Sequence, residues 1–307
     1  MGKVQLTSRS HIKLKRNKQA NIMLMKHPTT STVQNKSRII AEGGIVYILY
    51  AGILWSAKLT SGLSAWQEDL FGHKVITTIL AMVLLPAIIM WFTSKPGNIA
   101  LITKDTLKKA WHSCGKSLSV MMPITALSFP VIQALGYSFK DWIGASVIGF
   151  WHLVAFLLLC RVFKKQQQDD DVFPARRDLI RIISLFSFSV IITGVLHSIH
   201  TKAAQIFIAL IFVGQAEEFI FRGYFQTRLN QAFGKSYSLF GYSFGWGLIS
   251  ASLLFGLMHS LSPGDPWHWA WGIWTAIAGL CFGIIRDKGG SFVASGLVHG
   301  IIWSMAS

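Results

Sequence analysis

The chain is divided by apolar stretches so long that each must be shielded from water over most of its length. Eight of them, at 39–57, 75–92, 118–135, 142–160, 179–199, 203–227, 240–259 and 269–285, approach or exceed the ~20 residues that carry a helix across a hydrocarbon layer of about 30 Å. A ninth, 291–307, follows the Gly289-Gly290 pair and is short enough to be a further span or a half-span. Inside lipid only helices and closed barrels satisfy their own backbone groups, so helical stretches of this length predict an all-α polytopic bundle. The spans are expected to pack as one unit. The organisation expected is a basic tail at 1–38, a first four-span region at 39–163 whose role the sequence leaves open, a linker at 164–178, and a C-terminal core at 179–307. The linker is marked by Gln166-Gln167-Gln168 and Asp169-Asp170-Asp171.

Charge supports the same division. The net charge is +16, yet only 14% of residues are charged and 52% are hydrophobic, so the excess has to be concentrated outside the apolar stretches. An excess of Lys and Arg suits a nucleic-acid partner as well, but the tail has neither interleaved aromatics nor a binding fold, and no such partner is expected. With the tail placed in the cytoplasm, 23 Lys and Arg fall on that side and only Lys58, Lys74, Lys140 and Lys202 on the other. That is the asymmetry left by the retention of positive loops. The expectation is a multi-pass protein with a cytoplasmic N-terminus, of the kind found in a bacterial plasma membrane, whose tail lies near anionic lipid. No apolar run of signal-peptide length follows the first basic cluster. Cys114, Cys160 and Cys281 have the spacing of neither bridges nor zinc knuckles.

Of the acids, Glu217 and Glu218 lie well inside a span, where each costs on the order of 2.5 to 3.5 kcal/mol and so marks a bundle interior or a wet cavity. Glu218 and Arg222 are four apart, acid first, the favourable order for a pair on one helix face. Glu217 sits about 100° round the helix and has no local cation, which suits a general base or acid. Two histidines occur on later apolar segments among small residues, His259 after Phe255-Gly256 and His299 before Gly300. His152 and His197 read instead as hydrogen-bonded core residues. A carboxylate and two imidazoles can polarise a water for attack on a carbonyl and steady the oxyanion. The same three residues, Glu217, His259 and His299, are also a possible zinc set with an open position, although no His-Glu-x-x-His is present to favour it. No Gly-x-Ser-x-Gly turn points to a serine nucleophile. A non-catalytic membrane protein with the same polar cluster is the other class.

Glu217-Glu218-x-x-x-Arg222, then Phe255-x-x-x-His259, then His299, in that order on separate helices, resemble the motifs of the CPBP family of intramembrane proteases. This is also called the C-a-a-X protease, bacteriocin-processing or Abi family, and the eukaryotic Ras-converting prenyl-protein endopeptidase belongs to it. The likeness spans roughly 203–303. It implies a peptidase without a cofactor, acting on a peptide or membrane-protein substrate. In it Glu217 would activate water with His259, Glu218 and Arg222 would order the site, and His299 would support the oxyanion. Family members that are not enzymes act as immunity or scaffold proteins, which the likeness allows. One position departs: the third motif usually reads His-x-x-x-Asn or Asp, and this chain has Trp303 there. Straight spans with these boundaries also predict that His259 lies near the far membrane face, several ångströms from Glu217 and His299.

Overall fold

The computed structural model describes residues 30–93, 103–164, 171, 173–262 and 267–306. Most of the basic tail, the segment 94–102, seven residues of the expected linker (165–170 and 172) and the loop 263–266 lie outside the described residues. Ten helices run through the remainder: α1 Thr30–Leu59, α2 Ser61–Phe71, α3 Val75–Thr93, α4 Lys104–Ala134, α5 Trp142–Val162, α6 Arg176–Ile199, α7 Thr201–Phe233, α8 Trp246–Ser260, α9 Trp269–Gly289 and α10 Phe292–Ala306. Seven of them (α1, α3, α4, α5, α6, α7 and α9) are long and apolar enough to cross a membrane. The all-α polytopic bundle expected from the sequence is present. Every one of the nine apolar stretches is helical for most of its length.

Two stretches differ from a full span. The run 240–259 begins as part of a β-hairpin, β1 Tyr237–Leu239 paired antiparallel with β2 Tyr242–Phe244, and the helix proper is only 15 residues long. The reason is local. Tyr and Phe alternate with Ser over this run, a strand period, and the two-residue turn Phe240-Gly241 has positive φ at both positions (53° and 82°), as tight hairpins require. Helix α10 is likewise 15 residues long. Helix α2, which no long apolar run announces, ends on Gly72 in the left-handed conformation, whose N–H donates to the Glu68 carbonyl.

Successive long helices alternate in direction, which gives the bundle two ends. Glu42 of α1 meets Arg228 of α7, and Tyr50 meets Phe221, so these two helices are antiparallel. Arg222 and Gln226 of α7 reach Gly279 and Gly283 of α9, so this pair is parallel. Gln215 reaches the Val293 carbonyl of α10, which runs back the other way. At one end lie the start of α1, the links α3–α4 and α5–α6, the hairpin and the α9–α10 turn; this is called the basic end below. At the other lie the links α1–α3, α4–α5, α6–α7 and α8–α9, where the described Lys and Arg are Lys58, Lys74, Lys140 and Lys202. The outward side of α6 (Ile180, Leu185, Phe188, Ile191, Val195 and Ile199) is exposed at helical spacing, as a lipid-facing surface should be.

Candidate active site

Helix α7 carries both acids. It is α-helical over Ala216–Glu218 and widens into π-type turns on either side, over Ala209–Gln215 and Phe219–Gln226. Such turns are rare and concentrate at functional sites, because each re-aims the side chains that follow. Glu218 is fully buried. Its Oε2 lies 3.3 Å from Arg222 Nε and its Oε1 lies 3.3 Å from His299 Nδ1. Arg222, also fully buried, donates from Nη2 to the Gly279 carbonyl at 3.0 Å and sits 4.8 Å from the centre of the Phe255 ring. The spacing of the acid and the guanidinium thus produces the expected pair. Gly279 makes room for it, since a Cβ there would stand 3.1 Å from Arg222 Nη2.

Glu217 faces elsewhere. It is half-buried, its Oε2 has no hydrogen-bond partner, and it lines a cavity of about 320 Å³ together with Tyr50, His73, His259, His299 and Trp303. His259 Nδ1 lies 2.8 Å from the Phe255 carbonyl. A carbonyl only accepts, so Nδ1 carries the hydrogen and Nε2 keeps its lone pair for the cavity. His299 is held more tightly: it stacks on Phe282, 4.6 Å between centroids and 17° between planes, meets Phe255 edge-on, and points Nδ1 at the Glu218 carboxylate. Glu218 therefore bridges the guanidinium and an imidazole and fixes the orientation of both. Among the described residues no group of three or more His, Cys, Asp or Glu is gathered as metal ligands.

The separation in depth expected between His259 and the other two residues is not observed. Phe255 lies level with Phe221 and Arg222, its ring 5.2 Å from that of Phe221. Helix α8 runs antiparallel to α7, so one turn forward from Phe255 brings His259 level with a residue one turn back from Arg222, the position of the Glu pair. Residues 240–244 are not membrane-crossing helix but the hairpin turn and second strand, so the helix that carries His259 starts only at Trp246. His299 reaches the same level because α7 and α10 touch along glycines. A Cβ on Gly214 would lie 2.8 Å from the Gly300 nitrogen, and one on Gly296 would strike the Gln215 side chain. The five residues singled out by sequence therefore converge: Glu217, His259 and His299 on the cavity, Glu218 and Arg222 directly behind it. His152 is buried, its Nδ1 2.8 Å from the Ile148 carbonyl and its ring beside Trp274, and takes no part. His197 packs by Gly72, outside the cavity lining.

The sequence did not announce the opposite wall. Tyr50 from α1, His73 and Lys74 from the α2–α3 turn, and Thr77 and Thr78 from α3 line the cavity facing α7. The first four-span region thus contributes to the site. A second polar cluster was missed as well. At the basic end Asp287, 1% exposed, accepts from Gln226 Nε2, Tyr242 Oη and Arg286 Nη1, while Asp171 accepts from Asn230 and pairs with Arg286 and Lys235. Burial alone would raise the Asp171 pKa, but Arg286, Lys235 and the Asn230 hydrogen bond together hold it below the ordinary value. Asp287 read as a span edge and Asp171 as linker, because only the fold reveals that the α7 and α9 ends enclose them.

Residues 199–305 match the family model described as Type II CAAX prenyl endopeptidase Rce1-like. No curated protein and no solved structure matches the chain.

Proposed function

We propose, from the match of residues 199–305 to the Rce1-like CAAX prenyl endopeptidase model, that the chain is a glutamate-dependent endopeptidase that cleaves a peptide or membrane-tethered protein with a water activated by Glu217 and His259. The observation that carries this reading is the presence of three groups with complementary chemistry on one cavity: an unpartnered Glu217 Oε2, a His259 Nε2 with a free lone pair, and a His299 ring held by a carboxylate. In the proposed step Glu217, with His259, takes a proton from water, and the hydroxide adds to the scissile carbonyl. The tetrahedral oxyanion that forms receives a hydrogen bond from the His299 ring, which Glu218 holds in place. The C–N bond then breaks as the proton held by Glu217 passes to the leaving amine, so water is divided between the two products. Arg222 touches no substrate in this scheme. It balances Glu218, which without it would be an uncompensated charge in an apolar interior.

The N-terminus is placed in the cytoplasm, following the distribution of Lys and Arg. Glu217→Gln keeps the volume and removes the base. Purified in detergent, this variant is expected to unfold at the wild-type temperature and to have lost peptide cleavage by at least about 10²-fold. Unaltered cleavage by Glu217→Gln would overturn the proposal.

A further inference from the structure

We propose that the polypeptide enters the cavity from the membrane face poor in Lys and Arg, so that the bond cut belongs to an extracytoplasmic segment. This rests on the protease reading above and adds to it the side on which the substrate is found. The cavity lining ends at that face: His73 and Lys74 come from the α2–α3 turn, Ser262 follows α8, and Trp303, 37% exposed, lies in the last turn of α10. His259 is the penultimate residue of α8 and Trp271 the third of α9. Toward the basic end the same helices continue for roughly 20 Å and roughly 27 Å at 1.5 Å per residue. That direction is filled. Behind Glu217 stand the buried Glu218–Arg222 pair and Phe221, Phe255 and Phe282, and behind those the Gln226–Asp287–Tyr242 network. A peptide approaching from the basic end would have to part a buried ion pair and displace close-packed rings.

The mouth is also built for a polar guest. His73 Nδ1 is buried without a partner, a condition native structures avoid unless water or a ligand completes it. Lys74 is paired with Glu68 at 3.4 Å, and both side chains are more than a third exposed, a contact that exchanges easily. Four lysines at this end against the many basic residues at the other give the face its side, by the rule that retained loops are positive.

The test measures access and requires no substrate. Cys114, Cys160 and Cys281, all buried, are replaced by Ala, and Glu217→Cys is introduced alone, with Trp303→Cys as a second variant should the first not fold. Each is reacted with a membrane-impermeant methanethiosulfonate in right-side-out and in inverted vesicles. Lys74→Cys and the exposed Lys164→Cys serve as markers of the two faces. The expected result is reaction at least tenfold faster in right-side-out vesicles for Glu217→Cys, Trp303→Cys and Lys74→Cys, with the reverse for Lys164→Cys. Equal rates, faster reaction in inverted vesicles, or no reaction at the cavity positions from either side would overturn the proposal. None of these outcomes depends on hydrolysis, so a failed entry face is separable from a failed Glu217→Gln test.

Discussion

Glu217 and Glu218 are neighbours in sequence with different chemical circumstances. One carboxylate is ion-paired with Arg222 and lies against His299; the other has no cation beside it among the described residues and keeps an oxygen without a hydrogen bond at a cavity wall. Trp303 belongs to the same wall, in the place where the family resemblance implies an amide donor. An indole donates one hydrogen bond and accepts none, and it fills more of the cavity than Asn does. If an amide there serves the oxyanion, restoring it should matter more than making room. Trp303→Asn is therefore expected to raise kcat by roughly 10²-fold, the worth of one well-placed oxyanion donor, while Trp303→Ala should not. Steady-state kinetics on the two variants decide it, and an Asn variant no faster than the Ala variant would count against that role.

At the scale of elements, the site exists because helices approach one another more closely than side chains normally allow. The contact between α7 and α10 is glycine against glycine, and it sets where His299 stands relative to Glu218. A methyl group on Gly214 would come within 2.8 Å of the Gly300 nitrogen and 2.9 Å of its Cα. These are backbone atoms of a packed helix and have little freedom to yield. Gly214→Ala is expected to destabilise the protein by about 1 to 3 kcal/mol and to reduce activity with it. Gly44→Ala in α1, where a Cβ would meet nothing within 4 Å, should change neither. Denaturation of both variants in detergent makes the comparison.

For the molecule as a whole, the basic end is closed by a network joining the α5–α6 link, the ends of α7 and α9, and the hairpin. Asp171 is its link to the first half of the chain. Its folded-state pKa lies below the ordinary value of 3.8, so its contribution to stability is complete above that pH and is lost as pH falls through the folded pKa. Asp171→Asn removes this dependence. Wild type is expected to lose more stability than the variant between about pH 5 and pH 2, as followed by urea unfolding in detergent. Parallel pH profiles would show that Asp171 does not supply that link.

Much of this was legible in the residues. Apolar runs of near-membrane length gave the helices, alternation of Lys and Arg gave the two ends, and acids placed in an apolar span marked the site, because each of these is a local cost that sequence displays directly. The sequence alone thus determined an all-α bundle and singled out Glu217, Glu218, Arg222, His259 and His299 as candidates. Only the tertiary structure decided that these meet. Their convergence depends on the relative level of α7, α8 and α10, which hydropathy does not encode, and an apolar run that is partly hairpin misplaces it. The wall supplied by Tyr50, His73 and Thr77 and the burial of Asp287 have the same origin: they depend on which helix becomes the neighbour of which, and packing across more than a hundred residues of chain settles that.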